Sequence, residues 1–180
     1  MVSPPLDSTE AEVLSHLCLF RITTVDLARK IRRDLSAEAV QNALGALCSR
    51  GLVRSGQLFH GRPFFALTTK GAVAQGANPR EAHHVDIRGI VASYGILHFC
   101  AALETRLKFS RFDFCKDFPE AVIKGLNHGN YYWETSEDKP RLGYIYVDCG
   151  ANQARLVRRI ADRVILRRLE DQRWLALFNW

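Results

Sequence analysis

Glu134, Asp148 and the run Glu137-Asp138-Lys139 carry the side chains that a metal-dependent nuclease needs. Such an enzyme uses acidic residues to hold Mg²⁺ and a Lys to help activate water. The run at 137–139 falls between two strand-like segments, where a solvated turn accounts for it. Neither Glu134 nor Asp148 is followed two positions later by a Lys. The pair His83-His84 suggests a metal, but adjacent residues on a helix point apart and no third ligand has useful spacing. His98-x-Cys100 fails on the same geometry. The five cysteines, Cys18, Cys48, Cys100, Cys115 and Cys149, are odd in number and contain no C-x-x-C pair. They argue against a disulfide framework and a zinc site, and buried thiols are the default reading. A redox-sensing Cys149 is the minority alternative. There is no Gly-rich phosphate loop and no G-x-S-x-G elbow. We therefore expect no catalytic residue, no metal and no cofactor, with a nuclease as the least favoured alternative.

A second set of residues suits hydrogen bonding to a partner rather than catalysis. Glu38, Gln41, Asn42, Gly45 and Ser49 recur at helical spacing, opposite the apolar stripe Val40, Leu44 and Leu47. Short or amide side chains in such a row match the donor and acceptor pattern of base edges. Ser36 is a suitable N-cap for this helix, and Gly51 suits the left-handed position after its last turn.

The elements around this helix follow from the same logic. Thr9-x-x-Glu12 is expected as a capping box opening a first helix with Val13, Leu14 and Leu17 inward. Thr23-Thr24 precedes a short helix over Val25–Ile31, and Arg32-Arg33-Asp34-Leu35 turns into the third helix. Leu52-Val53 begins a strand. Leu58-Phe59 and Phe64–Leu67 flank the polar tip His60-Gly61-Arg62, and Pro63 fits a strand start or edge. Residues 8–75 in this order resemble the winged helix-turn-helix domains of MarR-, ArsR- and PadR-type bacterial regulators. The resemblance implies a DNA-binding module, with a protein-contact module as its rival. On the DNA reading, Glu38, Gln41, Asn42 and Gly45 face bases and Ser36 opens the reading helix. Lys30, Arg32, Arg33, Arg54 and Arg62 contact phosphates, and His60 sits at the wing tip.

Charge distribution is compatible with a polyanionic partner. The net charge is +6, with +4 in residues 1–80, −2 in 81–150 and +4 in 151–180. Phosphate neutralisation supplies most non-specific affinity, so the two positive segments are the expected contact surfaces. The 47% apolar content suits a globular core, no apolar run reaches membrane-spanning length, and the start is no secretory signal. A cytoplasmic protein without membrane contact is expected.

The organisation expected is α+β: a winged helix-turn-helix over 1–75, a linker over 76–82, and a small α/β domain over 83–180. The linker rests on the Gly, Ala and Pro content of Gly71–Arg80. Val85–Leu107 is expected to be an apolar helix that needs a cover, from the chain itself or from a second subunit. Phe109–Phe118 reads as aromatic and irregular. Tyr131–Glu134 and Gly143–Asp148 read as a hairpin. A long helix follows from Asn152 to about Glu170, and Arg173–Trp180 is a strand or an apolar tail. Arg155, Arg158, Arg159, Arg163 and Arg167 on that helix suit phosphates or an acidic partner, or are a solvated face.

The hairpin and the helix with Leu156-Val157-Arg158-Arg159 resemble the C-terminal part of replication-relaxation proteins of plasmids and integrative elements. The overall expectation is a homodimeric, sequence-specific regulator that binds double-stranded DNA, of bacterial or mobile-element type. The alternative is an accessory factor for plasmid or element replication or transfer, whose second domain recruits a protein partner.

Overall fold

A computed structural model describes residues 5–58, 61–82, 87–105, 107, 110–117, 119, 122, 128–134, 141–148 and 175–179. Asp7 opens the first helix, α1 (Ser8–Phe20), by accepting from the Glu10 N–H at 2.7 Å, while the Glu10 carboxylate accepts from the Asp7 N–H at 3.2 Å. This reciprocal box replaces the one expected at Thr9 and Glu12. A carboxylate is the stronger acceptor for free helix N–H groups, and it favours the positive end of the helix.

β1 (Ile22–Thr23) leads into α2 (Val25–Ile31), capped by the Thr24 hydroxyl. α3 (Ala37–Ser49) starts at Ser36, whose Oγ accepts from the Ala39 N–H at 3.0 Å. Gly51 follows α3 with φ +69°, the left-handed conformation that stops the helix at little cost. β2 (Val53–Gln57) and β3 (Pro63–Leu67) form an antiparallel hairpin that pairs Val53 with Leu67 and Gln57 with Pro63. β1 adds to the other edge of β3, pairing Ile22 with Ala66, so the sheet order is β1-β3-β2.

The central strand is buried on both faces. Phe65 and Leu67 join Leu14, Leu17, Val40, Leu44 and Leu47 in the main core. Phe64 and Ala66, on the other face, join Ile22 in a second cluster covered by Leu58, Ile90 and Tyr94. Period-two alternation places these two sets on opposite sides of the sheet.

Residues 69–82 are ordered rather than linker-like. α4 (Thr69–Ala74) is capped by Thr68, whose Oγ1 accepts from the Gly71 N–H at 3.1 Å. A Cβ at Gly71 would lie 2.1 Å from the Leu52 carbonyl oxygen, so the glycine permits close packing of α4 on the start of β2. A 3-10 turn follows at Pro79–Ala82, and Arg21 Nε donates to the Glu81 carbonyl at 3.1 Å.

α5 (Ile87–Ala102) packs on α2 and β1 and covers the second face of the sheet. The chain separates into two compact units at Glu104/Thr105, whereas the sequence reading ended the first domain at residue 75. The apolar helix therefore takes at least part of its cover from its own unit.

In the second unit, α6 (Arg111–Asp117) occupies the segment read as irregular, capped by Ser110 Oγ accepting from the Asp113 N–H. Phe114 stacks on the buried Tyr131 at 4.6 Å. β4 (Tyr131–Glu134) and β5 (Arg141–Asp148) form the expected antiparallel hairpin. β6 (Leu175–Asn179) adds parallel to β5, which makes the C-terminal segment a strand. The fold is α+β, with helices and, among the described residues, two three-stranded sheets. No helix among the described residues is long and apolar enough to cross a membrane. The helix expected over 152–170, with its arginines, lies outside the described residues, as do Cys149, His83-His84 and Glu137-Asp138-Lys139.

Candidate nucleic-acid interface

α3 has two sharply different faces. Val40, Ala43, Leu44 and Leu47 are buried against α1 and the sheet, which fixes the rotation of the helix about its axis. Glu38, Gln41, Asn42, Gly45 and Ser49 are exposed as a single row, and Ser36 is exposed at the N-terminus. Gly45 has no role in packing: a Cβ built there meets nothing within 4 Å. A glycine inside a helix costs about 1 kcal/mol against alanine. No packing contact in the described residues accounts for a glycine at this position. Ser49 Oγ turns back to the Ala46 carbonyl at 2.8 Å.

The cations expected on phosphates divide into three kinds. Lys30 on α2, Arg54 on β2 and Arg62 at the hairpin tip are exposed. Arg33 is exposed but paired with Glu104, which is itself exposed. A surface pair of this kind is worth at most about 1 kcal/mol, so a phosphate can displace the carboxylate. Arg32 differs from the rest. Its guanidinium forks onto Asp34, with Nη2 at 2.8 Å and Nε at 3.2 Å, and Nη2 also pairs with Glu12 of α1. Its side chain is only 15% exposed. Arg32 thus clasps the turn between α2 and α3 to α1, and its expected role on phosphate gives way to one in positioning α3. Asp34, first, and the further charge of Glu12 raise its already high pKa against partial burial, so it stays a cation.

The Leu58 N–H donates to the Arg62 carbonyl at 2.7 Å, and Gly61 takes φ +73°. Gly56 approaches the Phe64 ring so closely that a Cβ would lie 2.5 Å from it. His60 lies outside the described residues.

His98 was weighed in the sequence only as a metal ligand. His98 sits on α5, one turn beyond Tyr94, with the two rings edge to face at 4.7 Å. Partial burial, then the charges of Lys30 and Arg62, hold its imidazole below the ordinary range. Ile90, Tyr94 and His98 follow one another at one residue per helical turn along α5. Cys100, which follows two residues later, is fully buried, and burial pushes its thiol up to about 12. Among the described residues, no group of three His, Cys, Asp or Glu side chains is arranged to hold a metal ion.

The register of the second sheet bears on the nuclease alternative. Position 134 pairs with 141 at one end of β5, while Asp148 lies at the other end. Seven residues of strand separate the two positions by roughly 23 Å, too far for one metal ion to bridge.

Comparison with known proteins finds no matching family model, no matching curated protein and no matching solved structure.

Proposed function

We propose that this chain is a sequence-specific DNA-binding regulator that uses its first unit as a winged helix-turn-helix, with α3 as the reading helix and the β2–β3 hairpin as the wing. The observation that carries this reading is the exposed row Glu38, Gln41, Asn42, Gly45 and Ser49, backed by a fully buried opposite face. Gln41 and Asn42 offer the paired donor and acceptor that match adenine in the major groove, and Glu38 offers an acceptor for cytosine. Gly45 lets the helix backbone approach the groove. Lys30, Arg54, Arg62 and the displaceable Arg33 supply phosphate contacts that set register without carrying sequence information.

α3 carries no Lys or Arg of its own before Arg50. Its affinity must come from flanking cations and from a second copy of the module. A homodimer reading an inverted repeat, with half-sites about 34 Å apart, meets that need.

The test is an electrophoretic shift with the full chain and the duplex upstream of its own coding sequence, at low salt. A shift that resists excess unrelated duplex supports the reading. Failure to shift that fragment or any other genomic fragment sinks it.

A further inference from the structure

Arg33 and Glu104 form an ion pair from distant parts of the chain. Arg33 stands in the turn between α2 and α3, shortly before the Ser36 cap of α3. Its neighbour Arg32 fastens that turn to α1 through Glu12 and forks onto Asp34. Arg33 is thus presented to solvent from an anchored turn. Glu104 is the second residue after α5 and the last of the first unit. α5 packs on α2, which is how its end comes to the turn that follows α2.

Glu104 is costly in its place. Its backbone is left-handed, with φ +54°, at the position after a helix where glycine is favoured and a side chain is strained. Its charge also lies at the negative end of the α5 dipole, where a cation is preferred. Both side chains of the pair are exposed, so water and salt screen the attraction and the fold recovers little. Folding alone therefore gives little reason for a carboxylate here, and the contact it makes is with a cation beside the proposed reading helix.

We infer that Glu104 is a built-in competitor for DNA phosphate: its carboxylate occupies Arg33 in the unbound chain and is displaced when duplex binds. The inference rests on the DNA-binding reading above and adds a self-inhibitory contact to it. A carboxylate and a phosphodiester offer a guanidinium the same charged oxygen acceptors. Because phosphate contacts carry no sequence information, the competition lowers affinity for every duplex alike. Salt screens an exposed pair, so the competition fades as salt rises.

The experiment uses the full chain and a duplex selected for tight binding, with affinity measured across about 50 to 200 mM salt. Glu104→Gln, which keeps the shape and drops the charge, is expected to bind about two- to five-fold more tightly at the low end, with the gain shrinking as salt rises. Glu104→Gly, which suits the left-handed backbone, is expected to gain as much. In an Arg33→Ala background both gains are expected to vanish, because the carboxylate then has no cation to withhold. Glu104→Gln and Glu104→Gly chains that bind like wild type overturn the competition while leaving the DNA-binding reading intact. So does a gain that persists in full with Arg33→Ala, which marks a general effect of net charge. A wild-type chain that binds no duplex at any salt overturns both.

Discussion

Arg50 Nη1 lies 2.7 Å from Glu10 Oε2, with the two side chains only 19% and 10% exposed. The pair joins the end of α3 to the start of α1, and the same Glu10 closes the capping box with Asp7. Lys70 Nζ donates to the Arg50 carbonyl at 2.8 Å and adds α4 to this junction. Glu10→Ala removes a cap and leaves Arg50 without its carboxylate in a poorly solvated place. We expect a loss of about 2 kcal/mol, read as a lower urea midpoint with an unchanged slope. Glu38→Ala, on the exposed face, is expected to leave the midpoint within about 0.5 kcal/mol of wild type.

Two glycines are expected to respond in opposite directions to the same substitution. Gly45→Ala places a methyl in open space on a helix, so it raises stability by up to about 1 kcal/mol. On the proposed reading by α3, it also puts that methyl on the face that meets DNA, so specific binding is expected to weaken. Gly71→Ala drives a Cβ against the Leu52 carbonyl and lowers stability by about 2 kcal/mol or more. Paired thermal melts and binding curves check both. A Gly45→Ala chain that is more stable and binds equally well contradicts the proposed role of that glycine.

Two arginines read alike in sequence are expected to separate in solution. Arg32→Ala abolishes the fork to Asp34 and the pair with Glu12, so it lowers the melting temperature, and under the proposed function it affects DNA binding only through the placement of α3. Arg62→Ala removes an exposed cation and leaves the melting temperature unchanged. Under the proposed function it weakens binding to every DNA sequence alike and reduces the salt slope by about 1. Equal melting temperatures for the two variants contradict this division.

The buried thiol of Cys100 is expected to shape alkaline stability. Its pKa rises from an ordinary 9.0 to about 12 because burial disfavours the thiolate. Between those values the unfolded chain releases a proton that the folded chain keeps, so stability falls as pH rises. Below 9 both states hold the proton and Cys100 adds no slope. Denaturation midpoints of wild type and Cys100→Ala across this range check the sign. The variant starts less stable but declines less steeply, and parallel declines contradict the assignment.

The sequence and the structure agree most where a single residue carries the signal. Ser36 as cap, the stripe Val40-Leu44-Leu47 and Gly51 as stop define α3 because each acts through its own backbone or its own helix face. The hairpin Val53–Leu67 was legible for the same reason. β1 was not, because two residues have no period and Ile22-Thr23 become a strand only by pairing with β3. The order in residues 69–82 was hidden by composition: Gly71 and Ala72 look like linker but are small because α4 packs against Leu52. The inward turn of Arg32 was invisible because its partner Glu12 lies twenty residues away.

Sequence selection from a random duplex pool tests the central claim most directly, with wild type and Asn42→Ala run side by side. DNA reading by α3 predicts that wild type enriches one motif, and that Asn42→Ala retains backbone affinity but loses preference at defined positions of that motif. Enrichment of no motif by wild type, or of the identical motif by both chains, contradicts it.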